Sequence, residues 1–291
     1  MPELPEVETL ARDLRAAVTG RTITKARVAP DATRLVQEIS PRAFTAGLRG
    51  RRIDGVRRRG KYLLIELDRG LWWVVHRRMS GNLLRRPTGA PDEPYLRARF
   101  TLDDGTELRF IDLRKFGTMW LTGDPQPILA GLGPEPLDGT FTAKVLAEIV
   151  AKRSAPVKAV LLDQSAIAGI GNLYADEALH YAGIHPKREA RGLTNAEVAR
   201  LRHGIVRALE QGLANLGSSV GAKKGEEISL RDHVNLSGEP GGNQEYLVAY
   251  GREGQPCRAC GTPIERLKLS NRSAHYCPRC QPFSGRRRRA M

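Results

Sequence analysis

The four cysteines of this 291-residue chain fall in one short stretch, Cys257-x2-Cys260-x16-Cys277-x2-Cys280. Two Cys-x-x-Cys knuckles at this separation supply four thiolates to a tetrahedral zinc ion, and such a closed set leaves no position for a reactive water. The pattern predicts one structural Zn2+ that organises a hairpin, with no organic cofactor. Four buried or redox-active cysteines are the alternative. A disulfide framework is disfavoured by the opening Met1-Pro2-Glu3-Leu4-Pro5-Glu6, which is acidic where an export signal would be basic.

Charge narrows the partner. Lys plus Arg number 47 against 32 Asp plus Glu, a formal +15, and a surplus of that size points to a polyanion such as nucleic acid. Residues 251–291 alone carry 10 Lys/Arg against 2 Asp/Glu, so the cysteine hairpin is expected to face phosphate. No apolar run approaches the length of a membrane span, and no membrane partner is expected.

Periodicity divides the chain. Leu4, Val7, Leu10, Ala11, Leu14 and Val18 recur at helical spacing, with Pro5 in the permissive first turn. From Lys61 the pattern turns to strands: Tyr62 to Leu67 and Leu71 to His76 flank Asp68-Arg69-Gly70, and Leu96 to Leu102 alternates before Asp104-Gly105. Residues 20–122 therefore read as antiparallel β. The Pro- and Gly-rich stretch from Pro125 to Gly139 reads as a linker. Helices are expected over 142–152, from near Pro156, from Asn172 to Gly183, and from the capping box Thr194-x-x-Glu197 to Gly217. Residues 217–245, rich in Gly, Ser and charge, read as a mobile functional loop.

Two local patterns bear on chemistry. Pro2 is small enough for Met1 to be removed ordinarily, which would expose a secondary α-amine beside Glu3 and Glu6. An α-amine has a pKa near 8, so at neutral pH far more of it is nucleophilic than of a lysine. The same residues also read simply as a good helix start. Asn172, after Gly169-Ile170-Gly171, opens a helix where an amide side chain and free backbone N–H groups can hold a phosphate; it reads equally as a helix N-cap.

The opening Pro2-Glu3-Leu4-Pro5-Glu6-Val7-Glu8-Thr9 closely resembles that of the formamidopyrimidine-DNA glycosylase and endonuclease VIII family. The resemblance continues at Arg59-Gly60-Lys61-Tyr62, His76-x-x-Met79-Ser80-Gly81, Asp112-x-Arg114-x-Phe116-Gly117 and Ala168-Gly169-Ile170-Gly171-Asn172-Leu173-Tyr174-Ala175-Asp176-Glu177. It ends at Tyr250-Gly251-Arg252 and at Asn271-Arg272, covering essentially the whole chain. It implies an α+β multidomain protein: an N-terminal antiparallel β-sandwich with an opening helix (1–124), a linker (125–140), and a helix-two-turns-helix domain (141–245) with a lesion-covering loop at 217–245. A zinc finger (246–283) and a basic tail (284–291) complete it.

By the same resemblance, Pro2 is the nucleophile on C1′ of an everted nucleoside, Glu3 the acid assisting sugar-ring opening, Glu6 a supporting carboxylate and Lys61 a phosphate-binding assistant. Met79, Arg114 and Phe116 would fill the vacated stack, although an isolated Met or Phe is usually core. His76, Asn172, Tyr250 and Arg272 would hold backbone phosphates. The implied partner is damaged double-stranded DNA, bound by a monomer in the cytoplasm at the nucleoid. Leu4 favours the branch acting on oxidised purines, because endonuclease VIII openings usually have Gly there. The rivals are an endonuclease VIII-like enzyme for oxidised pyrimidines and a zinc-finger protein that binds distorted DNA without catalysis. Arg77 and Arg78 stand where apolar and small residues are common, and Lys115 where many members have Arg, so extra charge near the wedge is expected to alter DNA affinity. The match is poor from Val220 to Gln244.

Overall fold

The computed structural model describes residues 1–219, 233–269 and 271–283. Its elements in chain order are α1 (Leu4–Val18), β1 (Ile23–Val28), α2 (Pro41–Leu48), β2 (Ile53–Arg59), β3 (Tyr62–Leu67), β4 (Leu71–His76), β5 (Gly81–Pro87), β6 (Leu96–Leu102), β7 (Thr106–Asp112) and β8 (Thr118–Thr122). There follow α3 (Gln126–Leu129), α4 (Ala143–Ala151), α5 (Val157–Leu162), α6 (Asn172–Ala182), α7 (Asn195–Ala214), β9 (Glu265–Leu269) and β10 (Arg272–Tyr276). The chain forms two compact units, residues 1–130 with 212–244 and residues 131–211 with 245–291.

The first unit holds two four-stranded antiparallel sheets, ordered β1-β6-β7-β5 and β2-β3-β4-β8. Alternating apolar residues of both line one core. Trp73 of β4 meets Phe100 of β6 with ring centroids 4.3 Å apart, and Phe44 of α2 closes on both edge-on. Val7, Leu10, Leu14 and Val18 of α1 are fully buried in the same cluster, each contributing about 1.5–3 kcal/mol by leaving water. Helix α2 corrects the all-β reading of 20–122. Its signals were present: the Ser40 side chain caps the Ala43 amide, Pro41 starts the helix, and Phe44 and Leu48 share its buried face.

Strand register gathers several side chains at one end of this unit. His76 ends β4 opposite Tyr62 of β3 and Thr118 of β8, and Gly81 opens β5 opposite Asp112, the last residue of β7. The 77–80 and 113–117 turns therefore leave side by side. Residues 212–244, read from sequence with the helical region, group instead with this first unit. Hydrogen bonds explain why: Arg85 N donates to Leu236 O, and Ser218 N to Glu6. Part of the expected mobile loop, Val220 to Asp232, and the Arg286 to Arg289 tail lie outside the described residues.

In the second unit the expected helices are present, with the Thr194 and Glu197 capping box formed in both directions. The expected linker contains the short helix α3. Helix α6 ends at Gly183 in a left-handed conformation, as a C-cap requires. Among the described residues, no helix is long and apolar enough to cross a membrane.

Candidate functional site

In the first unit, the N-terminus is folded inward. Glu3 caps α1 in a capping box with Glu6, whose Oε2 accepts the Glu3 amide at 2.8 Å. Pro2, Glu3, Glu6 and Lys61 are all buried. Met1 is 53% exposed as a residue, yet burial pulls its amine below the ordinary range, with Glu3 and Glu6 opposing and Lys61 and Arg77 adding to the fall. Two carboxylates, a lysine and an amine of low basicity thus share one buried site. Gly217 approaches it so closely that an added Cβ would lie 2.9 Å from Glu6 Cγ, and its φ of +82° is one that L side chains rarely adopt.

His76 lies edge-on against Tyr62 at 4.5 Å, and its Nδ1 accepts the Arg78 amide. Burial, reinforced by Arg78 and Lys61, pulls its pKa down to about 3, so the ring is neutral and free to donate from Nε2. Met79 and Phe116 are exposed, at 38% and 49%, and the Arg114 guanidinium lies 4.8 Å from the centre of the Phe116 ring. Exposed apolar side chains on adjacent turns are wedge-shaped material rather than core. The residue that holds those turns together is Asp112. Oδ1 accepts Ser80 Oγ at 2.5 Å and the Arg114 amide at 3.1 Å, while Oδ2 accepts the Gly117 amide at 2.8 Å. Asp112 heads the Asp112-x-Arg114-x-Phe116-Gly117 motif, and its position two residues before Arg114 is the sequence signal of this bracing role.

The charge differences read from sequence need correction. Arg77 is 1% exposed, with Nε on Gly81 O and Nη2 on Asn82. It therefore adds no surface charge. Lys115 pairs with Asp31 at 2.6 Å, which offsets part of its contribution.

In the second unit, Asn172 is the first residue of α6 and Gly171 is the N-cap, which removes the capping role as its explanation. Its Nδ2 reaches Ser273 Oγ at 3.4 Å, and its buried Oδ1 finds no partner among the described residues. Ser273 follows Arg272 on β10, and His275 of the same strand packs edge-on against Tyr250. The structure thus brings Asn172, Tyr250 and Arg272 together around one hairpin. Buried groups not anticipated from sequence fix that arrangement. Lys158 Nζ donates to Asp176 at 2.6 Å and to Ser273 O, and Asp176 Oδ2 accepts the His275 amide at 2.9 Å. Glu177 accepts the amides of Val248, Ala249 and Tyr250. The adjacent acids at the end of the Asn172 motif were the only hint.

The four cysteine Sγ atoms lie within 4.8 Å of one another. Each knuckle is closed by a backbone bond, Gly261 N to Cys257 O and Gln281 N to Cys277 O. His180 Nε2 lies 3.3 Å from Cys257 Sγ, placed to donate to a thiolate. Four soft ligands converging from two knuckles fit a structural zinc held by Cys257, Cys260, Cys277 and Cys280.

Known proteins agree with this geometry. Residues 1–119 match the formamidopyrimidine-DNA glycosylase N-terminal domain, residues 132–224 its H2TH domain, and residues 254–282 the zinc finger found in FPG and IleRS. The chain is 48% identical to the formamidopyrimidine-DNA glycosylase of Moorella thermoacetica, covering 92% of this chain and 95% of the relative. It is 43% identical to that of Geobacillus kaustophilus, over 97% and 100%. Among solved structures, it is similar to the Lactococcus lactis Fpg in complex with abasic-site DNA, with a TM-score of 0.87 at 32% identity over 97% of this chain and 100% of that one. The MutM (FPG) protein of Thermus thermophilus gives 0.84 at 39%, over 98% and 100%. The fold and site define a zinc-finger DNA-repair protein of sandwich and helical parts. The chain belongs to the formamidopyrimidine-DNA glycosylase family.

Proposed function

We propose that this protein is a bifunctional DNA glycosylase and AP lyase of base excision repair, removing oxidised purines such as 8-oxoguanine and formamidopyrimidines from duplex DNA. The observation that carries the reading is Pro2, buried with Glu3, Glu6 and Lys61 at the start of the chain. With Met1 removed, the secondary amine of Pro2 lies one residue deeper, and desolvation keeps it neutral and nucleophilic. Its nitrogen attacks C1′ of the everted nucleoside. The glycosidic bond breaks and the base leaves with a proton, while Glu3 protonates the ring oxygen as the sugar opens to an iminium. The iminium acidifies the C2′ proton. Its loss expels the 3′ phosphate, and a second elimination expels the 5′ phosphate.

Glu6 supports the amine from the end of α1, and Lys61 holds phosphate beside it. Met79, Arg114 and Phe116 fill the gap left by the everted nucleotide, while His76, Asn172, Tyr250 and Arg272 grip the flanking backbone. Residues 1–124, joined by 212–244, carry the chemistry. The helical region and the finger hold the DNA, and the zinc shapes the hairpin that presents Arg272. The protein acts as a monomer on damaged double-stranded DNA in the cytoplasm, at the nucleoid.

The test is borohydride trapping with protein shown by mass spectrometry to begin at Pro2. A covalent adduct and strand cleavage are expected on an 8-oxoguanine·C duplex. Preference for thymine glycol·A would favour an oxidised-pyrimidine enzyme, and no adduct on either would favour DNA binding without catalysis.

A further inference from the structure

In the first unit, the turn that carries Arg114 and Phe116 is tied to a remote stretch of sequence. Asp31 lies in the 3-10 turn Pro30–Leu35, just after β1. Its Oδ2 accepts Lys115 Nζ at 2.6 Å and Arg97 Nη1 at 2.8 Å. Arg97, almost fully buried, also donates through Nε to Asp112 O at 2.9 Å. One carboxylate therefore grips the 113–117 turn directly at Lys115 and, through Arg97, at its root. The hydrogen bond from Lys115, with the charges of Arg97 and Lys115 behind it, holds the Asp31 carboxyl below its ordinary range.

Two features of the turn call for such a tie. Lys115 has a φ of +56°, in the left-handed region that a residue with a side chain occupies only where its surroundings enforce it. A cavity of about 320 Å3 is lined by both turns, with Arg34, Leu35, Phe110 and Phe116 among its walls, so close packing does not lock the turn on that side. Asp112 holds the backbone through the Arg114 and Gly117 amides. The side chain of Lys115, between the two residues that must enter the helix, is held by Asp31. Because both partners are about half exposed, their pairing adds little to global stability. Its effect falls on which conformation of the turn is populated. A turn ordered beforehand spares the wedge the cost of ordering at the moment a base leaves the stack.

We propose that Asp31 is a positioning residue for base eversion: by holding Lys115 and Arg97 on one carboxylate, it presets the 113–117 turn so that Arg114 and Phe116 stand ready to enter the stack. The proposal rests on the glycosylase reading and on the wedge role given to these two residues above. Asp31 touches neither substrate nor reacting atoms in this reading, and acts only through Lys115 and Arg97.

The test reads single-turnover excision of 8-oxoguanine opposite C, at saturating protein, against borohydride trapping on a single-stranded abasic oligonucleotide, which has no stack to fill. Asp31→Asn, which keeps an acceptor for Arg97 but loses the charge, and Lys115→Met are each expected to slow duplex excision about threefold to fivefold. The double variant should be no slower than the slower single, since both changes break one link. Single-strand trapping and the melting temperature should match the parent's, and Asp31→Glu should recover most of the duplex rate. Unchanged duplex excision, additive losses in the double variant, or an equal fall in single-strand trapping would each overturn the proposal. So would a dependence of log affinity on log salt that is steeper by about one unit in Asp31→Asn at the parental excision rate, which would make Asp31 only a mask over a phosphate-seeking Lys115. A parent protein that traps no abasic strand would instead remove the glycosylase reading, and Phe116→Ala excising at the parental rate would remove the wedge; the proposal falls with either.

Discussion

The backbone amide of Ser218 donates to Oε1 of Glu6 at 2.8 Å, joining residues 212 positions apart in sequence. Oε2 of the same carboxylate holds the Glu3 amide, so one buried side chain fixes both the start of α1 and the start of the segment that follows α7. In Glu6→Gln one oxygen becomes an NH2 that must face an N–H, costing about 1–3 kcal/mol. A lower melting temperature and slower trapping are expected together. An unchanged melt with normal trapping would show that the two bonds contribute little.

Retention of Met1 should abolish covalent trapping, because the Pro2 nitrogen would be an amide with no free lone pair. Binding to lesion duplex should survive. Full trapping by protein whose mass includes Met1 would contradict the role of Pro2.

Because four cysteines close the metal site, Cys277→Ala should lower zinc content and lesion binding together, whereas brief chelator treatment should leave turnover intact while zinc stays bound. Turnover that varies with added metal at constant zinc occupancy would argue for a reactive metal.

Arg272 and His76 are both proposed to touch phosphate, yet they differ in charge. Arg272→Ala should reduce the dependence of log affinity on log salt by about one unit. His76→Phe should weaken binding with no change of slope, because a neutral imidazole releases no counterion. Binding titrations from low to moderate salt separate the two, and a slope change on replacing His76 would mean that the ring is charged.

Acid stability follows from the same ring. The folded pKa of His76, about 3, lies below its ordinary 6.5, so the unfolded chain takes up the proton first. Its contribution is complete above about pH 6.5 and drains away as pH falls toward 3. His76→Phe should flatten that part of the stability curve, as read from denaturant midpoints across the window.

The sequence was most legible where chemistry depends on spacing. The cysteine knuckles, the apolar stripe of α1 and the Thr194 capping box each declare themselves within a few residues. Pro2, Glu3 and Lys61 became candidates through motif likeness, since nothing local distinguishes Pro-Glu-Leu-Pro-Glu from an ordinary helix start. Contacts between remote residues stayed hidden. That Arg77 turns inward onto Asn82, or that residues 212–244 pack with the sandwich, depends on partners that only the folded chain brings near. Helix α2 was missed because the surrounding strand pattern outweighed a cap and a proline that were both in view.

The chain leaves its first unit after Ala130 and returns to it at Gly212. During synthesis, at ~5–20 residues per second, roughly 10–40 s pass between the emergence of Glu6 and that of the Ser218 amide which bonds to it. In that interval the N-terminus has no completed pocket to retreat into. Trimming of Met1 is therefore easiest on the nascent chain, because in the finished fold Pro2 on the far side of the bond is buried, although Met1 itself stays 53% exposed.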